Sequence, residues 1–576
     1  MDVLSIDPGS VRIEFEHACR RLEHSRFAGA LWSRSLDIWP GDAGVREKIA
    51  TRLGWLSALD FITPERERLE SFAASVRGEG FTDVVLLGMG GSSLAPEVFR
   101  QVLGSEPGFP RFRVLDSVDP DAVRDALESA GTSLFVFASK SGSTIEPNAM
   151  AAEAQRRVLA AGHPHWGPRF VAITDADTPF HHRAREERYR DIFVNPADIG
   201  GRYSALSYFG MVPAALMGID LERLLERARG MEHACREAMV AANPGLTLGA
   251  FMAAGVRSHR DKLTLLLPER LASLGLWVEQ LVAESTGKSG TGVVPITGEP
   301  EGVAYGDDRA AVAVGGPAAA VPAAILDRVR SSSVPLVSLD MADLESLGAE
   351  FLRWEVATAT AGALLDINPF DEPNVQQAKD ATRVLLDIYA SERRLPTPAP
   401  VAAVNGARFT ASRAAQERLD GTTVVSFLRL LQRHDYLCVL AYLPPGNPAL
   451  AAALQDLRRS LALVTGRPTM FGYGPRYLHS TGQLHKGGAN NGVFLVLTAE
   501  PASDVPVPGQ PFTFGVLELA QAIGDFQSLD RTDRRAVYVH LPDRDPRSLR
   551  TLAEALLAGI GTDGGARHPA EGTGRL

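Results

Sequence analysis

The run Asp83-Val-Val-Leu-Leu-Gly88-Met-Gly90-Gly91-Ser92-Ser93 decides the fold, because an apolar strand enters a glycine turn and a helical pattern opens at Leu94. Strand, tight turn and helix in that order begin a βαβ unit. The glycines let backbone N–H groups approach a ligand oxygen, and the helix start adds further donors. A dinucleotide fingerprint is a poor match, since the third glycine is missing and no acidic residue closes a strand about twenty residues on. A purely structural turn is the competing reading.

Working outward, short apolar runs at 112–115, 134–138 and 170–174 alternate with helical stretches, which is a parallel-sheet pattern. The logic repeats with strands at 262–267, 310–314 and 336–339 and helices at 272–284 and 352–365. After a helix at 375–391, Leu395-Pro396-Thr397-Pro398-Ala399-Pro400 reads as a stiff linker. A third unit offers strands at 436–442, 493–497 and 536–541 and helices at 449–463 and 548–557. Residues 11–77 are helical in pattern, with Trp32, Trp39 and Trp55 as anchors. The expected fold is therefore α/β, with two tandem doubly wound parallel-sheet domains (77–245 and 246–394). A helical N-terminal segment (1–76) precedes them, and a linker (395–410), a C-terminal α/β unit (411–560) and a disordered tail (561–576) follow.

At 576 residues the chain needs several cores, and its 45% hydrophobic and 22% charged content is that of a globular protein. The net charge of -10 is spread along the sequence, which argues against a nucleic-acid surface. Three separated cysteines, Cys19, Cys235 and Cys438, suit reduced thiols in a cytoplasm. No basic leader is visible at the start, and the most apolar stretch, 312–326, is broken by glycines and prolines, so neither export nor a membrane span is expected.

Three further pieces carry chemistry. Ser139-Lys140-Ser141-Gly142-Ser143-Thr144 follows a strand and precedes a helix near Glu146-Pro147, and its hydroxyls and helix-start amides suit a phosphate monoester. Gly200-Gly201-Arg202-Tyr203-Ser204 sets an arginine where it can hold an oxyanion, although a loop salt bridge is the plain alternative. In the helix ending Ala283-Glu284-Ser285-Thr286-Gly287-Lys288, Gln280 and Glu284 share one face, so a carboxylate can move a proton on a bound sugar. A lone glutamate at a helix end is usually just solvated. His163, His165, His181 and His182 lack partners at metal-ligand spacing, and no metal is expected.

Together with INPFDEPNVQQAK at 367–379 and LHSTGQLHKGG at 478–488, these motifs resemble phosphoglucose isomerase. The form most similar is the isomerase portion of bifunctional transaldolase/phosphoglucose isomerase proteins. The resemblance implies sugar-isomerase-type domains and interconversion of glucose 6-phosphate and fructose 6-phosphate through ring opening and a cis-enediol. It assigns the phosphate to Ser139, Lys140, Ser141 and Thr144, and the sugar to Gly91, Ser92 and Gln280. Glu284 becomes the acid/base and Arg202 the stabiliser of the enediolate. Lys379 takes the ring-opening lysine's role, while residues 514–521 echo the same family segment without a lysine.

The family's ring-opening histidine has no counterpart after Glu284, where the chain reads Tyr305-Gly306-Asp307-Asp308-Arg309. His479 is the substitute, ahead of His485, and it follows Lys379 in reversed chain order; Asp308, Arg309 or water are the alternatives. The resemblance further implies no cofactor and a cytoplasmic homodimer. A transaldolase barrel is not expected, since it would precede the isomerase portion and the chain opens too close to the first motif. Two rival functions keep the fold: a non-catalytic sugar-phosphate sensor, and an isomerase acting also on mannose 6-phosphate.

Overall fold

The computed structural model describes residues 3–317, 319–419 and 423–561, arranged around three sheets. In the first sheet all neighbours are parallel, in the spatial order Arg111–Leu115, Asp83–Leu87, Ser133–Ala138, Phe170–Asp175, Asp191–Asn195. Its three central strands are buried along their whole length, as continuous apolar runs in a sheet covered on both faces must be. The edge strand Asp191–Asn195, absent from the sequence reading, is only partly buried and so has a weaker apolar signal.

The second sheet is parallel from Leu336–Asp340 through Arg309–Gly315 and Lys262–Leu266 to Val294–Ile296. Val3–Asp7 adds an antiparallel edge, pairing Val3 with Asp340 and Asp7 with Leu336. The sequence reading had only helical pattern before residue 77, so this strand is a correction. Five residues at the chain start become a strand only because an edge far along the sequence is open to them. Trp39 and Trp55 are buried and Trp32 half-buried, and the Trp39 indole donates to the Ala359 carbonyl at 3.0 Å, tying the lead-in helices to the second unit.

The third sheet runs Ala402–Val404, Ala407–Ala411, Arg535–His540, Gly492–Thr498, Tyr436–Tyr442, Thr469–Tyr473, the first two joining antiparallel and the rest parallel. Ala402–Val404 lies within the stretch read as linker. Its hairpin turn is Asn405-Gly406, both at positive φ (50° and 83°), the residue pair that a two-residue hairpin favours and a signal present in the sequence. The tail expectation falls mainly on residues 562–576, outside the described residues; Gly561 closes the helix Pro546–Gly561.

The third unit shares a hydrophobic core with the first. Phe137 and Val85 of the first sheet, Leu385 and Leu386 of the helix Val375–Glu392, and Ile523, Tyr436 and Phe494 of the third unit belong to one buried cluster. Buried ion pairs cross the same boundary, with Arg476 reaching Asp116 at 2.6 Å and Arg544 reaching Asp119 at 2.5 Å. This packing is what brings a loop of the third unit to residues 280–284.

One buried carboxyl makes the stability of this arrangement pH-dependent. Burial pushes Glu279 from an ordinary 4.5 up to about 8, with only Arg458 opposing, and one of its oxygens has no hydrogen-bond partner. The unfolded chain therefore releases this proton near pH 4.5 while the folded chain keeps it to about pH 8, so stability falls as pH rises across that window. Glu279→Gln, which keeps the neutral form, is expected to raise Tm by several degrees at pH 8 and hardly at all at pH 4.5. Equal melting curves for both proteins at pH 8 would contradict the assignment.

Candidate active site

Glu284 stands in the last turn of the helix Ala272–Thr286, with Gln280 one turn before it. Arg202 comes from the short turn Gly201–Tyr203 after the first sheet, is buried, and sets its Nη1 3.4 Å from Glu284 Oε1. The rest of the guanidinium is fixed: Nε donates to Ser285 Oγ at 2.8 Å, Nη2 to the carbonyls of Pro369 and Asp371 at 2.8 and 3.0 Å, and Nη1 to Glu372 Oε2 at 3.0 Å. A loop of the second unit is thus pinned to the helix Ala272–Thr286. Lys288 adds to the pinning, donating to the Asn368 carbonyl at 2.7 Å and to Asp371 Oδ1 at 2.8 Å, and burial drags its ammonium down to about 8.

Backbones meet closely here. A Cβ on Gly91 would lie 2.1 Å from the Gly201 carbonyl oxygen. One on Gly90, which also has φ +55°, would lie 2.8 Å from the His479 carbonyl oxygen and 2.9 Å from Gln280 Nε2. The glycine turn 88–93 therefore serves as the plane on which Gly201 and the His479 loop converge, with Ser92 half-buried at its end.

His479 belongs to the third unit and still reaches this place. Its carbonyl accepts from Gln280 Nε2 at 2.6 Å, while its Nε2 sits 2.8 Å from Glu146 Oε1. Glu146 lies in the first turn of the helix Ile145–Ala160 and is buried; Gln521 donates to the same Oε1 at 2.7 Å. Burial pushes the Glu146 carboxyl up, but the charge and hydrogen bond of His479 outweigh it and leave the group below the ordinary range. An ionised carboxylate on one ring nitrogen orients the imidazole and leaves the other face free to exchange a proton.

A cavity of ≈ 380 Å³ opens beside this pair, lined by Ser141, Ser143 and Thr144 on one element, Lys379 and Arg383 on another, and His479 with Gln521 from the third unit. Thr144 precedes the helix Ile145–Ala160 without capping it, so its hydroxyl and the first helical amides stay available, while Ser141 Oγ and Ser143 Oγ share a hydrogen bond at 2.7 Å. Ser139 and Lys140 have other duties. Ser139 Oγ is buried and accepts from the Gly142 amide at 3.1 Å, bracing the loop; Lys140 is bound by Asp175 and by the Ala197 carbonyl at 2.7 Å. Glu284, Gln280 and Arg202 are not in the cavity wall; of the three, Gln280 donates to the backbone carbonyl of His479, whose residue is part of that wall.

Of the alternatives to His479, Arg309 is buried against Glu299 (2.5 Å) and Thr264 (2.8 Å), and Asp308 is buried beside it. His485 lies against Cys438 Sγ at 3.7 Å, and burial holds its imidazole well below the usual range. Sequence reasoning missed Glu146, Glu372, Lys288 and Gln521 as members of the site. All four fall inside or beside the quoted motifs, but their pairings join residues up to 375 positions apart.

Burial raises the Glu284 carboxyl; Arg202 opposes this, and the charge of Glu372 pushes it higher. A proton acceptor must be ionised, so the acid limb of kcat/KM is expected above the ordinary carboxylate range. Glu372→Gln removes one negative charge and releases Arg202 to Glu284, which makes ionisation easier. Its acid limb is expected at lower pH than the native one, and a limb that stays in place or moves upward would contradict the pairing.

Among the described residues no cluster of His, Cys, Asp and Glu is arranged to hold a metal ion, and no helix is long and apolar enough to cross a membrane. Residues 66–297 match the family model of phosphoglucose isomerase. The glucose-6-phosphate isomerase of Parasynechococcus marenigrum (strain WH8102) is 29% identical over 411 residues, covering 64% of this chain and 73% of that protein. The one from Citrifermentans bemidjiense is 32% identical over 280 residues, covering 46% of this chain and 50% of that protein. Among solved structures, a hypothetical protein from Thermus thermophilus superposes with a TM-score of 0.57 at 25% identity, over 66% of this chain and 99% of its own.

Proposed function

We propose that this chain, whose residues 66–297 match the family model of phosphoglucose isomerase, is an aldose-ketose isomerase that interconverts glucose 6-phosphate and fructose 6-phosphate with Glu284 as the shuttling base. The observation that carries the reading is the linkage of Glu284 to the histidine loop: Arg202 at 3.4 Å on one side, and Gln280 held to the His479 carbonyl at 2.6 Å on the other.

The steps follow from what each group can do. His479, oriented by Glu146, gives a proton to the ring oxygen while Lys379, in the same cavity wall, assists at the hydroxyl that becomes a carbonyl. Glu284 then takes the proton from C2 and returns it to C1. The charge that gathers on oxygen meanwhile lies near a guanidinium that four other hydrogen bonds already hold still. Ser141 and Thr144, with the helix-start amides, receive the phosphate. Ser139 braces that loop from behind, and Gly91 and Ser92 border the sugar. Gln280 keeps the two halves in register. The free thiols Cys19, Cys235 and Cys438 fit a reducing cytoplasm, and the family resemblance supports a homodimer. Light scattering showing twice the mass of the chain would support the dimer.

The direct test is a coupled assay of the purified protein on fructose 6-phosphate, with product run in deuterated water. Formation of glucose 6-phosphate carrying solvent deuterium at C2 is expected. Tight binding of fructose 6-phosphate without exchange at either carbon would instead describe a sensor.

A further inference from the structure

The hydroxyl loop at 139–144 does not present its own lysine to the cavity. Lys140 is taken by Asp175 and the Ala197 carbonyl, and it is not part of the wall that Ser141, Ser143 and Thr144 form. Hydroxyls and amides alone give neutral donors to a dianion, whereas an arginine adds opposite charge and a bidentate geometry matched to phosphate. The cavity therefore has a loop shaped for phosphate and a cation missing from it.

The same wall contains four cationic or basic side chains. Lys486 is spent in a buried pair with Asp525 at 2.5 Å, and His479 is spent on Glu146. Lys379 and Arg383, on the helix Val375–Glu392, make no ion pair among the described residues and are exposed. They stand at i and i+4, on one face of the helix and about 6 Å apart along its axis. That offset is comparable with the reach from a pyranose ring to its 6-phosphate, so one residue can serve each end. Asp387, also in the wall, lies a further turn along and is the carboxylate that competes for Arg383.

We propose that Arg383 is the phosphate-binding cation of this site, donating from its planar fork to two non-bridging phosphate oxygens while Lys379 faces the sugar ring. The inference rests on the sugar-phosphate reading above and adds to it a residue outside the motifs that carry that reading.

Arg383→Ala in the full chain is expected to raise KM for fructose 6-phosphate about 30-fold with kcat within about twofold, the loss of one charged hydrogen-bonding group. The inhibition constant for inorganic phosphate is expected to rise by a similar factor, and Arg383→Lys to recover part of both. An unchanged KM and phosphate constant in Arg383→Ala would overturn the proposal. Should the native protein prove inactive on fructose 6-phosphate, the functional reading falls by itself. Calorimetry of inorganic phosphate with native and Arg383→Ala protein still decides the role of Arg383, with equal affinities sinking it. A drop in Tm of the variant would mark a structural role, and Arg383→Lys with native Tm and intermediate phosphate affinity separates the two.

Discussion

Glu284→Gln is expected to lower kcat about 1,000-fold or more while KM for fructose 6-phosphate stays within a few-fold, since a positioned general base contributes on the order of 10²–10⁴. The substitution keeps the shape of the side chain and one oxygen to face Arg202, so the guanidinium is not left without a partner. Glu372 also remains on the same Nη1 at 3.0 Å. What disappears is the proposed function that requires a carboxylate at this position, acceptance and return of a carbon-bound proton. Single-turnover measurement with fructose 6-phosphate deuterated at C1 distinguishes this from slower binding. Loss of activity through a large rise in KM, with exchange at C1 and C2 intact, would move the base elsewhere.

His479→Ala is expected to cost about 100-fold on the ring form of glucose 6-phosphate, in the range of one acid/base group. An open-chain analogue should lose far less. In the proposed mechanism the imidazole supplies proton transfer to the ring oxygen, a step that an open chain skips. Its backbone carbonyl, which holds Gln280 at 2.6 Å, survives in the variant, so the scaffold near Glu284 is preserved. Removal does leave Glu146 buried with only Gln521 on its Oε1, and that carboxyl should then rise toward protonation. Glu146→Gln combined with His479→Ala separates this burial penalty from catalysis, because the double variant should regain stability without regaining ring opening. Equal losses on ring and open-chain substrates would remove His479 from that step.

These expectations depend on residues with different legibility in the sequence. Glu284 and Gln280 are visible because a helix places i and i+4 side by side wherever it sits, and the strand-turn-helix order at 83–94 and 134–145 needs only local pattern. Central strands announce themselves by continuous apolar runs. Val3–Asp7, Val294–Ile296 and Asp191–Asn195 lie at sheet edges and pair with one neighbour only. The hairpin at 402–411 went unread although Asn405-Gly406 marks it, because the prolines before it suggested a linker.

By itself, then, the amino-acid order determined the α/β character of the three units, the strand-turn-helix shape around 139–144 and the pairing of an acid with an amide on one helix face. All are short-range consequences of backbone geometry and apolar period. Tertiary structure alone decided that Lys140 turns to Asp175, that Arg202 divides one nitrogen between Glu284 and Glu372, and that His479 meets Glu146 across 333 positions. The reason is physical: a charge takes the partner that desolvation leaves nearest, and which groups are desolvated together is settled only when the third unit closes its core against the first.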